Sequence, residues 1–227
     1  SFFVFPERQS WRCFGACAEG GDSIRFVMKA ENQSFSEALR TLADRLGVQL
    51  PSRRAQEAMN PLLRANEEVS KYYRRHLLES EEGAVARAYL EKRGVTQETA
   101  AAFNLGLSPT GWEDMKNYLA GQGFTDAQMF QAGLLHRSDG GSTRDLFHGR
   151  LMFPIKDSEG HIVGFGGRDL HGVQPKYLNT PQSPLFEKST ILWGMDIAME
   201  GIRLNDEAVV VEGYMDALMA HQHGFTN

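Results

Sequence analysis

Two apolar runs separated by a short polar turn constrain this chain more than any other feature. Leu151-Met152-Phe153-Pro154-Ile155 and His161-Ile162-Val163-Gly164-Phe165 flank Asp157-Ser158-Glu159-Gly160. Such runs form a β-hairpin, because Asp, Ser and Gly accept the turn backbone that bulky residues resist. Pro154 lacks an N–H and therefore belongs at an edge or a bulge. Upstream of Leu151 the periodicity is helical instead, over about 67–78, 82–93, 112–119 and 125–132, with a further short helix capped by Thr96. A chain that switches from helical to hairpin patterning is α+β.

A second switch follows. Ala208–Val211 is wholly apolar and reads as a buried strand. It leads through Glu212-Gly213-Tyr214-Met215-Asp216 into a helix reaching about His223, the opening of an α/β unit. Ligand sites in such sheets lie at the carboxyl ends of strands. Glu212 is thus a catalytic candidate, and Asp216 stands beside it at the helix start. Mg²⁺ takes a few carboxylates together with phosphate oxygens, so Glu212 is also a candidate ligand. The competing account is a solvated acid capping a helix, and the motif by itself leaves both open.

The amino-terminal residues read as a small β module. Phe2–Phe5 and Trp11–Phe14 are strands around a polar turn, and Gly20-Gly21 ends the module. Asp22 caps a helix to about Lys29, Ser34 and Glu37 fit a capping box, and Gly47 closes the helix behind it. A unit of about 50 residues is short of core and needs a staple. Cys13 and Cys17 are the only cysteines. They are either half of a tetrahedral zinc site or two free thiols. Phe2, Phe3, Phe5, Trp11 and Phe14 either build the core or stack on single-stranded bases. Pro51 to about Asn66 breaks the pattern and reads as a linker, either irregular or partly helical.

Arg144, Arg150, Arg168, Lys176 and Lys188 fall on predicted turns, interleaved with Asp145, Asp157, Glu159, Asp169 and Glu187. These cations either converge on nucleotide or template phosphates or are ordinary surface charges. The net charge of −5 argues against a chain coated in positive charge, though not against a local basic groove. No run of eighteen apolar residues is present, and Ser1–Phe5 is too short for a signal-peptide core, so the expected location is the cytoplasm with no membrane partner. Both ends look cut, which makes the chain a fragment of a longer parent by expectation.

Taken in order, these pieces resemble the bacterial DnaG-type DNA primases. Arg12-Cys13-Phe14-Gly15-Ala16-Cys17, Gly20-Gly21-Asp22, Phe26-Val27 and Ser34-Phe35 resemble the second half of that family's zinc-binding domain. Ala88-Tyr89-Leu90, Arg93-Gly94 and Phe103-Asn104-Leu105-Gly106 resemble the start of its RNA polymerase domain. Arg150–Ile155, Gly164-Phe165-Gly166-Gly167-Arg168, Pro175–Pro181 and Phe186-Glu187-Lys188 resemble its basic core. Val211–Asp216 resembles the first motif of its Toprim fold.

The resemblance implies a zinc-binding part over 1–50, a linker over 51–66, the amino-terminal part of the polymerase core over 67–206 and the start of a Toprim domain over 207–227. It implies that Cys13 and Cys17 are two of four zinc ligands, although the family's commoner spacing is Cys-x2-Cys. It assigns Arg150, Arg168, Lys176, Tyr177, Asn179 and Lys188 to nucleotide or template, and Glu212 to a catalytic Mg²⁺ or Mn²⁺ with Asp216 in support. The implied activity is synthesis of short RNA primers on single-stranded DNA from NTPs, with a replicative helicase as partner through a region outside this chain. The 227 residues alone are expected to be inactive. A phage-type primase–helicase and a non-catalytic single-stranded DNA-binding protein on the same scaffold are the alternatives.

Overall fold

A computed structural model describes residues 2–15, 17–48, 53–138, 140–157 and 159–227. Pro51 of the expected linker, Ala16 of the cysteine turn and Ser158 of the hairpin turn lie outside the described residues. The chain divides into two units, Ser1–Gln56 and Glu57–Asn227.

In the first unit β1 (Phe2–Phe5), β2 (Ser10–Cys13) and β3 (Gly20–Gly21) form an antiparallel sheet in that order. Trp11 is its buried anchor: it stacks on Phe2 at 5.5 Å and donates Nε1–H to the Asp22 carbonyl at 2.9 Å. Helix α1 (Ser23–Ala30) starts where expected, because the Asp22 carboxylate accepts the Arg25 N–H at 2.8 Å. Helix α2 (Phe35–Leu46) carries the Ser34–Glu37 capping box and stops at Gly47, whose φ of 68° suits only a residue without a Cβ penalty. Trp11 thus serves the module's packing, whereas Phe2, which stacks on it, and Phe3 and Phe14, which meet edge to face at 5.7 Å, remain 48%, 54% and 61% exposed.

The segment expected as a linker over 51–66 is helical from Arg53 onward. Residues 53–79 form a single helix, α3 (Arg53–Glu79), with Pro61 inside it. A proline there removes one backbone hydrogen bond. The helix persists because Leu62, Ala65, Val69, Tyr73 and Leu77 make one buried stripe at helical spacing. Tertiary burial outweighs the local break. Asn66, fully buried on the same stripe, donates Nδ2–H to the Ile162 carbonyl at 3.0 Å.

Next come α4 (Gly83–Lys92), α5 (Gln97–Ala102), β4 (Gly106–Leu107), α6 (Asp114–Gly121) and α7 (Asp126–Gln131). A two-stranded ribbon, β5 (Leu135–Arg137) and β6 (Thr143–Asp145), precedes the expected hairpin, β7 (Arg150–Lys156) and β8 (Ile162–Asp169). With β9 (Tyr177–Asn179) the central sheet has the order β4-β7-β8-β9. Met152 joins the cluster built on α3, α6 and α7, while Leu151 and Phe153 join one built on α4, α5 and the C-terminal helix α9 (Tyr214–Gln222). Both faces are covered, which is why β7 reads as an unbroken apolar run. Pro154 lies beyond the short β4 pairing, and its carbonyl accepts the Trp193 Nε1–H at 2.8 Å instead. Helix α8 (Met195–Asn205) precedes the last segment.

The expected buried strand at Ala208–Val211 does not form. Residues 208–211 are irregular and exposed, Val210 to 77%. A strand needs a hydrogen-bonded neighbour, and no described strand pairs with this segment. No helix among the described residues is long and apolar enough to cross a membrane.

Candidate functional site

The second unit carries a cleft of about 790 Å³ at the seam between the central sheet, α8 and α9. Its basic wall comes from Arg168 at the end of β8, Lys176, Tyr177 and Asn179 around β9, and Lys188 on the following turn. Its acidic rim is Glu212 and Asp216, on either side of the first residue of α9. Seven of the residues selected from the sequence therefore share one concavity.

Two contacts place α9 there. At its start the Tyr214 ring stacks on Phe153 at 4.7 Å and 12°, over Gly166, where a Cβ would lie 2.5 Å from the Tyr214 hydroxyl. Glycine at 166 is thus required by close approach. Burial pushes the Tyr214 phenol up to about 12, so it stays protonated and donates to Asn179 Oδ1 at 2.9 Å. At the other end Gln222 grips the turn between α4 and α5, donating Nε2–H to the Gly94 carbonyl and accepting the Thr96 N–H, each at 2.8 Å.

Arg168 is only 8% exposed. Its guanidinium carbon sits 5.0 Å from the Tyr89 ring centre and 5.1 Å from that of Tyr177, and Nη1 donates to the Tyr177 hydroxyl. Its Nε is buried with no hydrogen-bond partner. Lys176 and Lys188 are exposed and form no ion pair among the described residues. Such cations suit phosphate oxygens, which accept charge-assisted hydrogen bonds.

Arg150 stands apart from this group. It was selected for phosphate contact, but it is 6% exposed and does not line the cleft. Its Nη1 donates to the Pro175 carbonyl at 2.9 Å and the Gly167 carbonyl at 3.5 Å. A buried charge must spend its donors on acceptors, and these two carbonyls belong to the residues immediately before Arg168 and Lys176. Arg150 therefore shapes the basic wall from behind. Conversely, Arg93 lines the cleft and was not selected. Only the Arg-Gly ending of α4 marked it in the sequence.

Glu212 and Asp216 are exposed and make no hydrogen bond or ion pair with described residues, so their oxygens are available to a hard cation. They are two carboxylates only: no group of three or more His, Cys, Asp or Glu gathers among the described residues. In the first unit Cys13 ends β2 and Cys17 is exposed. A hydrogen bond from Cys13, helped by the Glu19 backbone, holds the Cys17 thiol below its ordinary range. Two close thiols, one easily ionised, fit half of a tetrahedral zinc set.

Comparison with known proteins gives the same order of parts. Residues 1–58 match the CHC2 zinc finger and residues 72–199 the DNA primase catalytic core, N-terminal domain. The whole chain is 43% identical to the DNA primase of Deinococcus radiodurans over 227 residues and spans 39% of that protein's length. It is similar throughout to the zinc-binding and RNA polymerase domains of Aquifex aeolicus primase (35% identity, TM-score 0.69), covering 55% of that chain. It is also similar over 75% of its length to a DnaG primase catalytic domain bound to single-stranded DNA (35% identity, TM-score 0.68), covering 55% of that chain.

Proposed function

Since the chain belongs to the DnaG-type DNA primase family, we propose that it carries the template- and nucleotide-holding cleft of a DNA-directed RNA polymerase that lays down short RNA primers on single-stranded DNA. The observation that supports this most is the sharing of one cleft by Arg168, Lys176 and Lys188 with Glu212 and Asp216. The reaction is attack of a primer 3′-hydroxyl on the α-phosphate of an NTP, with pyrophosphate leaving. Its charged centre needs positioning and electrostatic stabilisation more than covalent help.

In this reading Lys176, Lys188 and Arg168 hold phosphate oxygens of nucleotide or template, and Tyr177 and Asn179 line the approach. Arg150 acts only through the loop it braces. Glu212, supported by Asp216, would hold a divalent cation such as Mg²⁺ or Mn²⁺, which would supply charge neutralisation at the attacking and leaving oxygens. Cys13 and Cys17 would supply two ligands of a structural zinc. A protein acting on replicating bacterial DNA works in the cytoplasm.

The test is Glu212→Gln in the full-length protein, assayed for primer synthesis and for affinity to a fluorescein-labelled single strand. Synthesis should fall by about 10²-fold or more while DNA affinity stays nearly unchanged. Full primer yield from this variant would remove Glu212 from the site.

A further inference from the structure

Tyr89, on the last turn of α4, has no role in the proposed reaction, yet its ring meets two cations of the cleft. The guanidinium carbon of Arg93 lies 5.4 Å from its ring centre and that of Arg168 lies 5.0 Å away. These arginines belong to different elements, the end of α4 and the end of β8, and both line the cleft. Two like charges held against the same ring repel, and burial of Arg168 sharpens the repulsion. An electron-rich ring face offsets it by attracting both.

Two further observations mark Tyr89 as an organiser of cations rather than a ligand contact. Its hydroxyl is buried without a hydrogen-bond partner, so the phenol oxygen contributes no hydrogen bond. Arg168, nine-tenths buried, keeps Nε equally unpartnered, and its Nη1 is engaged by Tyr177. Its Nη2 takes part in no described hydrogen bond, and Arg168 lines the cleft, so a guanidinium held by two rings keeps a donor for an acceptor oxygen there.

We propose that Tyr89 is a positioning residue: its ring holds both Arg93 and Arg168 so that the pair receives one phosphate group. The inference rests on the primase reading, because that reading supplies the phosphate. The group can belong to an incoming nucleotide or to the template strand, since the chemistry recognised is the same. The clamp acts through the ring's electron density, so its effect should follow the electronics of the side chain and not its shape.

The experiment replaces Tyr89 by two side chains of nearly equal shape, Tyr89→Phe and Tyr89→pentafluorophenylalanine. The second inverts the ring's charge distribution. Each full-length variant is titrated with a fluorescein-labelled single strand and, separately, with mant-GTP; thermal melts verify folding. Tyr89→Phe should bind both probes as the parent does, because only an unpartnered hydroxyl is lost. The fluorinated variant should bind at least one probe about five- to tenfold more weakly. The probe affected identifies the source of the phosphate. In the DNA arm, losing one phosphate contact should also reduce the slope of log affinity against log salt by about 0.7. Equal binding by the two variants overturns the clamp while leaving the primase reading intact. Loss with Tyr89→Phe also overturns it, since the hydroxyl would then be the working group. A parent protein that binds neither probe sinks the primase reading and the clamp with it.

Discussion

The Tyr214 hydroxyl donates to Asn179 Oδ1 at 2.9 Å, joining the acidic start of α9 to the basic edge of the central sheet. Through this bond the two oppositely charged sides of the cleft share one register. Tyr214→Phe keeps the stack on Phe153 and removes only the bond. It should cost about 1 kcal/mol in urea unfolding and lower primer synthesis without changing the fold. Unaltered stability and synthesis together would show that the bond aligns nothing.

Gly166→Ala approaches the same contact from the sheet. The added methyl would lie 2.5 Å from the Tyr214 hydroxyl, so the ring must leave Phe153 or the strand must shift. Overpacking of this kind costs about 1–3 kcal/mol. A thermal midpoint equal to the parent's would show that α9 is held elsewhere.

Asp145 predicts a pH dependence. It accepts the Met115 and Lys116 N–H groups at 2.9 and 3.0 Å at the start of α6. Desolvation by burial nevertheless dominates and raises its carboxyl from an ordinary 3.8 to about 7. A folded value above the unfolded one stabilises the protein fully below pH 3.8, and that contribution disappears as pH rises through about 7. The parent should therefore lose stability between pH 4 and 7 by a component that Asp145→Asn lacks. Parallel melting curves against pH for the two proteins would contradict this.

Arg150 and Lys176 should separate stability from binding. Arg150→Ala strips the partner from the Pro175 and Gly167 carbonyls, and breaking a buried charged contact costs about 1.5–3 kcal/mol. Lys176→Ala removes an exposed cation and should leave stability within about 0.5 kcal/mol. It should instead lower the salt dependence of single-strand affinity. If Arg150→Ala melts like the parent but binds poorly, the loop-bracing role is wrong.

Asn66 tests the helix that replaced the expected linker. Asn66→Ala leaves the Ile162 carbonyl without its buried donor and should cost about 1–3 kcal/mol in urea unfolding. No change in midpoint would mean that the apolar stripe alone holds α3 on β8.

Local chemistry was readable from the residues. Asp22, Ser34 with Glu37, and Thr96 cap the helices as their side-chain oxygens suggest, and Gly47 ends one because only glycine adopts its φ without penalty. The hairpin β7–β8 was equally legible, since its turn residues and apolar runs lie within about twenty positions. The failures lie where distant partners decide. Pro61 reads as a break, but the stripe from Leu62 to Leu77 finds a sheet to bury against. Ala208–Val211 reads as a buried strand, but apolarity makes no strand without a neighbour to pair with.

The same division holds at the site. Sequence by itself determined which side chains could bind phosphate or metal, because charge and donor chemistry belong to the residue. It also determined that Glu212 and Asp216 lie close along the chain, on either side of Gly213-Tyr214-Met215. Tertiary structure alone decided which cations face the cleft: Arg93 and Arg168 meet at the Tyr89 ring, while Arg150 turns inward onto backbone carbonyls. The physical reason is that burial and long-range contact, which no local pattern encodes, fix whether a charge meets solvent, a ring or a carbonyl.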